Sequence, residues 1–172
     1  MHRYVSSALL LVSLLPACAA FAQDDPAPAA SATCNFDQDK QLVVNYQRVA
    51  LNPKKALATQ VPFNKPWAPG GKPITLFTNG SVQVGPRVLG VGAYTLFVIP
   101  TTKHWTLVVS NSTDTSGAYD EKNDLVRVPM DAGELPNPES DLVVTFAHIT
   151  PNECSLRVDL DKYGHFAVFQ QK

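Results

Sequence analysis

ECSLRVDLD, residues 153–161, is the stretch whose reading decides the fold. Cys154, Leu156, Val158 and Leu160 alternate there with Ser155, Arg157, Asp159 and Asp161. Successive side chains of an extended chain point to opposite faces, so a period of two predicts a strand with one face buried and one wet. Working outward, QLVVNYQRV (41–49) places Leu42, Val44 and Tyr46 on one face, and HWTLVVS (104–110) groups Trp105, Leu107 and Val109. AYTLFVI (93–99) is apolar on both faces, as a strand packed from two sides would be. Residues 74–78, 81–84, 124–130, 141–149 and 165–170 complete a set of about nine strands.

Turn chemistry separates them. Asn79-Gly80 lies between two strand-like runs and is the favoured pair for a tight hairpin. Pro100 closes one strand before a short connection, Thr101-Thr102-Lys103, which makes the neighbouring strands antiparallel. Gly85-Pro86, Gly90, Gly92, Gly117, Pro136, Pro138, Pro151-Asn152 and Gly164 mark other strand ends. No long stretch outside the N-terminal segment has a helical apolar period, although ALNPKKALATQV (50–61) has room for a turn or two. The expected fold is all-β, a single-domain antiparallel β-sandwich with jelly-roll-like or meander connections.

The first residues read as an address. Basic Met1-His2-Arg3, an apolar run from Val5 to Leu15 and the small-residue exit Ala20-Phe21-Ala22 form a secretory signal, residues 1–22, cleaved after Ala22. Leu15-Pro16-Ala17-Cys18 offers a rival exit of the lipoprotein kind, with Cys18 carrying the lipid. The apolar run is shorter than the roughly 20 residues a spanning helix needs, so no transmembrane span is expected. Residues 23–33, rich in Ala and Pro, are expected to form a disordered leader ahead of a folded domain at 34–172. The expected location is periplasmic or secreted.

Removing residues 1–22 takes away Arg3 alone, so the 14 basic residues become 13 against 15 acidic ones, a net charge of −2. No basic run interrupts this balance, which argues against nucleic acid as a partner. Two cysteines outside the signal, Cys34 and Cys154, are expected to form a disulfide in an oxidising compartment.

Several segments, in order, resemble a known family. They are WAPGGKPITL (67–76), GVGAYTLFVIP (90–100), KHWTLVVSN (103–111), GAYDEKNDLVRV (117–128) and DLVVTF (141–146). Together they resemble the exported bacterial "domain of unknown function 2911" family over about residues 41–170. The resemblance implies a β-rich exported domain and no activity. Two departures stand out: Pro69-Gly70-Gly71-Lys72 follows the first tryptophan, and Asn79-Gly80-Ser81 looks like a small insertion.

The named catalytic motifs and the cofactor-binding loops are absent. The Asp114–Asp124 loop gathers oxygen ligands suited to a hard cation such as Ca²⁺, though it lacks the EF-hand order and carries Lys122. Its plainer reading is a solvated loop, with Asp120 or Asp124 paired to Arg127 as a clasp. His104, His148 and His165 sit on or beside different strands, and nothing in their spacing requires them to converge on a metal. A glycosidase needs two carboxylates across a cleft, and Asp120, Glu121, Asp124 and Glu134 supply the types without the geometry. Among aromatics, Trp67, Tyr94, Trp105, Tyr119 and Tyr163 have the character of a ligand-stacking groove, with Tyr94 and Trp105 in phase with core positions.

The first reading is therefore a non-catalytic envelope module that binds a protein, glycan or small ligand, or has a structural role, without a cofactor. Trp67, His104, Tyr119, Asp120, Asp124 and Arg127 are its candidate binding residues. The alternative is a hydrolase of envelope or extracellular polymers with a carboxylate or histidine site near residues 104–127.

Overall fold

The computed structural model describes residues 28–172. The signal, the lipid-attachment reading at Cys18 and the leader before residue 28 lie outside the described residues. Nine strands run in the order β1 (Ala29–Asn35), β2 (Gln41–Gln47), β3 (Ile74–Thr78), β4 (Val82–Val84), β5 (Arg87–Leu89), β6 (Gly92–Ile99), β7 (Trp105–Ser110), β8 (Asp124–Thr150) and β9 (Glu153–Gln171). Every ladder is antiparallel, and the spatial order is β1-β2-β3-β6-β7-β8-β9-β4-β5.

The sheet turns over on β8. The first part of β8 pairs with β7 up to Met130, and from Asp131 onward β8 pairs with β9. Leu135-Pro136-Asn137-Pro138 falls where the β8–β9 register slips, between Glu134 and Glu139. Proline has no N–H to give the ladder, so pairing breaks there while the chain stays extended. One layer then holds β1, β2, β3, β6 and β7, and the other holds β9, β4 and β5. The core lies between them: Leu42, Val44, Leu76, Leu96, Val98 and Leu107 meet Val82, Leu142, Val144, Leu156, Val158 and Phe169, all fully or almost fully buried.

The alternation of residues 153–161 is realised with one difference. Cys154, Leu156, Val158 and Leu160 are buried, Arg157 and Asp159 reach the surface, and Ser155, expected on the wet face, is buried as well. The connections are those of a meander interrupted by one excursion, β4–β5, into the other layer. Asn79-Gly80 does not make a hairpin, because β3 and β4 belong to different layers. Asn79 ties the crossing to the β1–β2 turn, accepting a bond from the Gln41 N–H (2.7 Å) and donating to the Asp39 carbonyl (3.0 Å). A tight hairpin is at Gly85-Pro86, where Val84 faces Arg87 and Gly85 takes φ 52°. A positive φ at the first central position is what glycine supplies in a two-residue loop.

The leader expectation is corrected at its C-terminal end. Residues 29–33 belong to β1, paired antiparallel with Val43 through Gln47 of β2. Small Ala and Ser side chains bury little, so composition hid a strand whose stability comes from backbone pairing. β1 brings Cys34 to Cys154 on β9, and the two form a disulfide with Cα atoms 6.4 Å apart, 120 residues apart in sequence. Closing so long a loop stabilises the fold by up to about 5 kcal/mol in the chain-entropy account. Among the described residues no helix is long and apolar enough to cross a membrane.

Candidate functional site

β6 and β7 bury side chains on both faces. Leu96, Val98, Leu107 and Val109 face the core, whereas Phe97 and Val108, opposite each other in the ladder, point outward and are still buried. The loop after β7 covers them. Tyr119 sets its ring edge-on to Phe97, with centroids 5.1 Å apart. Thr95 donates its hydroxyl to the Ser112 carbonyl (2.9 Å), pinning the start of that loop.

A charged clasp holds the Tyr119 ring in place. The Tyr119 hydroxyl donates to Asp124 Oδ2 (2.6 Å), Arg127 Nε donates to the same oxygen (2.8 Å), and Arg127 Nη2 reaches both the Tyr119 oxygen (2.6 Å) and Glu121 Oε1 (3.0 Å). Burial, reinforced by the bond to Asp124, pushes the Tyr119 hydroxyl up to about 12. The bond to Asp124 likewise raises the Arg127 guanidinium above its ordinary value. Asp120 is not in this clasp: it accepts the Lys122 N–H (3.1 Å) and caps the short 3-10 turn Glu121–Asn123. Asp114 closes on Ser116, whose N–H and hydroxyl hold its carboxyl below the usual range. The acidic residues of the loop are thus divided among Ser116, the Lys122 N–H and Arg127, the last shared by Glu121 and Asp124.

The concave site lies elsewhere, at the end of the sandwich where β7 begins. It is a cleft of about 360 Å³. Its back wall is Trp105, on which the His165 imidazole lies flat, with centroids 4.1 Å apart and planes 7° from parallel. Trp67 meets Trp105 edge-on, with centroids 6.4 Å apart. Trp67 is placed by a bridge to Val98, exchanging N–H and carbonyl bonds of 2.8 and 3.3 Å. Leu57, Phe63 and Leu160 line the cleft, and Tyr163 stands at it with 46% of its surface exposed. Leu57 is brought there by the single 3-10 turn Leu57–Thr59, whose approach is braced by Gln60 bonding the backbone of Asn52 and Lys55. Thr101, Thr102 and Lys103, the β6–β7 connection, form the remaining side with Ala132 of β8.

His165 is 7% exposed and its Nδ1 is buried without a hydrogen-bond partner. That burial lowers its pKa to about 4, so the ring stacked on Trp105 is neutral near pH 7.

The six candidate binding residues fall in different parts of the fold. Tyr119, Asp124 and Arg127 join in the clasp, Asp120 caps the neighbouring turn, and Trp67 packs on Trp105 of the cleft wall. His104 is exposed beside the cleft connection, its carbonyl accepting from the Thr101 hydroxyl. The three histidines do not converge: His104 is exposed, His165 is in the cleft, and His148 lies beside the disulfide. Of the proposed aromatic groove, Trp105 and Tyr163 line the cleft, while Tyr94 bonds the Gly90 carbonyl (2.9 Å). His165, Leu57 and Phe63 are functional candidates that sequence reasoning did not single out. Tyr163 and Phe166 flank His165 at the start of the 165–170 strand, but nothing in that spacing places the histidine in a cleft.

The profile of a protein family described as "Protein of unknown function (DUF2911)" matches residues 27–166, which takes in all nine strands up to the middle of β9. The chain belongs to the DUF2911 family. Neither the curated proteins nor the solved structures include a match. The stretch Pro69-Gly70-Gly71-Lys72 is a turn in which Gly70 and Gly71 take φ of 71° and 78°. The clasp loop packs directly on it at Gly117.

Proposed function

We propose that this protein is an exported, non-catalytic binding module of the bacterial envelope, and that its ligand is a small, planar, largely apolar molecule held in the Trp105–His165 cleft. The observation that carries this reading is the flat aromatic wall. A neutral imidazole stacked on an indole, 7% and 4% exposed, meets the cleft with its uncovered edge, flanked by the apolar side chains of Leu57, Phe63 and Leu160. A cleft of about 360 Å³ suits a ligand of one or two rings, at the small end of the usual range of roughly 300–1,000 Å³. An aromatic ligand gains from stacking as well as from area, and the hydroxyls of Thr102 and Tyr163 offer it polar contacts at the cleft.

Binding is favoured over catalysis by the chemistry of the lining. His165 has no carboxylate orienting it and no nucleophile bonded to it, so it lacks the partners that make an imidazole a general base. The carboxylates of the 114–127 loop that a hydrolase would use are engaged in the clasp and its turns. The signal-like residues 1–22, with cleavage after Ala22 or lipid attachment at Cys18, support a periplasmic or secreted location.

Indole is the probe. It should raise the melting temperature of the mature domain, because a ligand that prefers the folded state stabilises it by mass action. Saturation-transfer NMR should show magnetisation passing to indole, and Ala132→Trp, which crowds the cleft, should abolish it while the circular dichroism spectrum is retained. Absence of both transfer and thermal shift in the parent domain would overturn the proposal.

A further inference from the structure

At the opposite pole of chemistry from the cleft stands a compact set of soft ligands. Cys154 is the second residue of β9, His148 faces it across the β8–β9 ladder, and β1 delivers Cys34 to the same point. The two sulfurs and one imidazole nitrogen all lie within 4.8 Å of one another, and His148 Nδ1 is 3.6 Å from Cys154 Sγ. Both cysteines are fully buried, and His148 is exposed.

We propose that, when the Cys34–Cys154 bridge is reduced, these two thiolates and His148 form a binding site for one Zn²⁺ ion. Zinc bonds of about 2.3 Å to sulfur and about 2.0–2.1 Å to nitrogen, set at tetrahedral angles, require a sulfur–nitrogen separation of roughly 3.5 Å and a sulfur–sulfur separation of roughly 3.8 Å. The imidazole is already at the first of these distances. The second is reached by rotating the freed thiols, since Cα atoms 6.4 Å apart leave room for both sulfurs to turn toward a shared ion. Three protein ligands leave the fourth position to water, on the side where His148 meets solvent.

Bridge and ion exclude each other, because a disulfide sulfur has no thiolate charge to give a metal. A dithiol reductant transfers two electrons and two protons to the bridge, becoming a disulfide itself and leaving two cysteine thiols. Zn²⁺ then replaces the two thiol protons, which are released. Reoxidation by a disulfide oxidant runs the sequence backward and expels the ion.

The test compares the whole mature chain in its two redox states. The protein is reduced with dithiothreitol, freed of reductant without oxygen, and titrated with Zn²⁺ against a chromogenic chelator. The reduced chain should take up one Zn²⁺ and the oxidised chain none. Co²⁺ should give a thiolate charge-transfer band in the reduced chain alone. His148→Ala should weaken Zn²⁺ binding at least tenfold. If the reduced chain loses strand signal in circular dichroism, one equivalent of Zn²⁺ should restore it. A folded reduced chain that takes up no Zn²⁺, a His148→Ala variant that binds as well as its parent, or an unfolded reduced chain that Zn²⁺ does not restore would each overturn the proposal.

Discussion

His165 shows how one residue couples packing to pH. Its ring is neutral in the fold, with a pKa of about 4, and a free histidine titrates near 6.5. Between those values the unfolded chain binds a proton that the folded chain refuses, so acid pulls the equilibrium toward unfolding. The contribution is complete above about pH 6.5 and disappears as the pH falls toward 4, with a size of up to about 3 kcal/mol. His165→Phe keeps an aromatic ring against Trp105 and removes the titration. Urea unfolding of both proteins at pH 7 and pH 4.5 should show the variant losing less stability on acidification, and parallel losses would refute the account. The sequence displayed His165 as one of three strand histidines, but nothing local could distinguish it, because its burial and stacking come from strands distant in the chain.

At the scale of an element, the loop from Asn111 to Asn123 is a lid on the outer face of β6 and β7. Its length and polar composition read as a solvated loop, and its acidic residues as a candidate cation site. The apolar outer face of β6, visible in AYTLFVI, implied that something covers it, and the covering piece is Tyr119. Gly117 sets the lid's approach: it has φ 90°, and a Cβ there would run into the Gly71 carbonyl. Gly117→Ala should therefore lift the loop, at a cost of at least about 1 kcal/mol from the positive φ alone. Tyr119 fluorescence and hydrogen exchange at Phe97 and Val108 should report the loss of cover. Unchanged exchange at those two amides would show that the loop is not held at Gly117. A pairing of Arg127 with Asp120 or Asp124 was legible in the sequence, whereas the choice of Asp124 and the Tyr119 hydroxyl that joins them were not.

Over the whole molecule, the strand count agrees with the sequence reading for a reason worth separating from its details. Residues 124–130 and 141–149 are one strand, as are 153–161 and 165–170, while β1 and β5 supply two that were not expected. Proline and glycine interrupt hydrogen bonding without ending extension, so two strands read as four. β1 and β5 carry few buried side chains, so they left no apolar period to find. The disulfide binds this arrangement across its layers. Replacing both Cys34 and Cys154 with alanine should cost about 2–5 kcal/mol in urea unfolding. A double variant as stable as the parent would show that strand packing alone holds β1 against β9.

Alternation of apolar and polar side chains determined, without any tertiary information, that this chain forms an antiparallel β-sandwich and where most of its strands lie, because the two-residue period follows from backbone geometry alone. Paired cysteines and the family pattern were equally open to reading along the chain. The cleft, the clasp and the histidine beside the bridge belong to the tertiary structure. The cleft and the meeting of Cys34 with His148 and Cys154 join residues tens of positions apart, and the clasp, local within residues 119–127, closes over Phe97 of β6; which strands become neighbours is decided by the packing of whole layers.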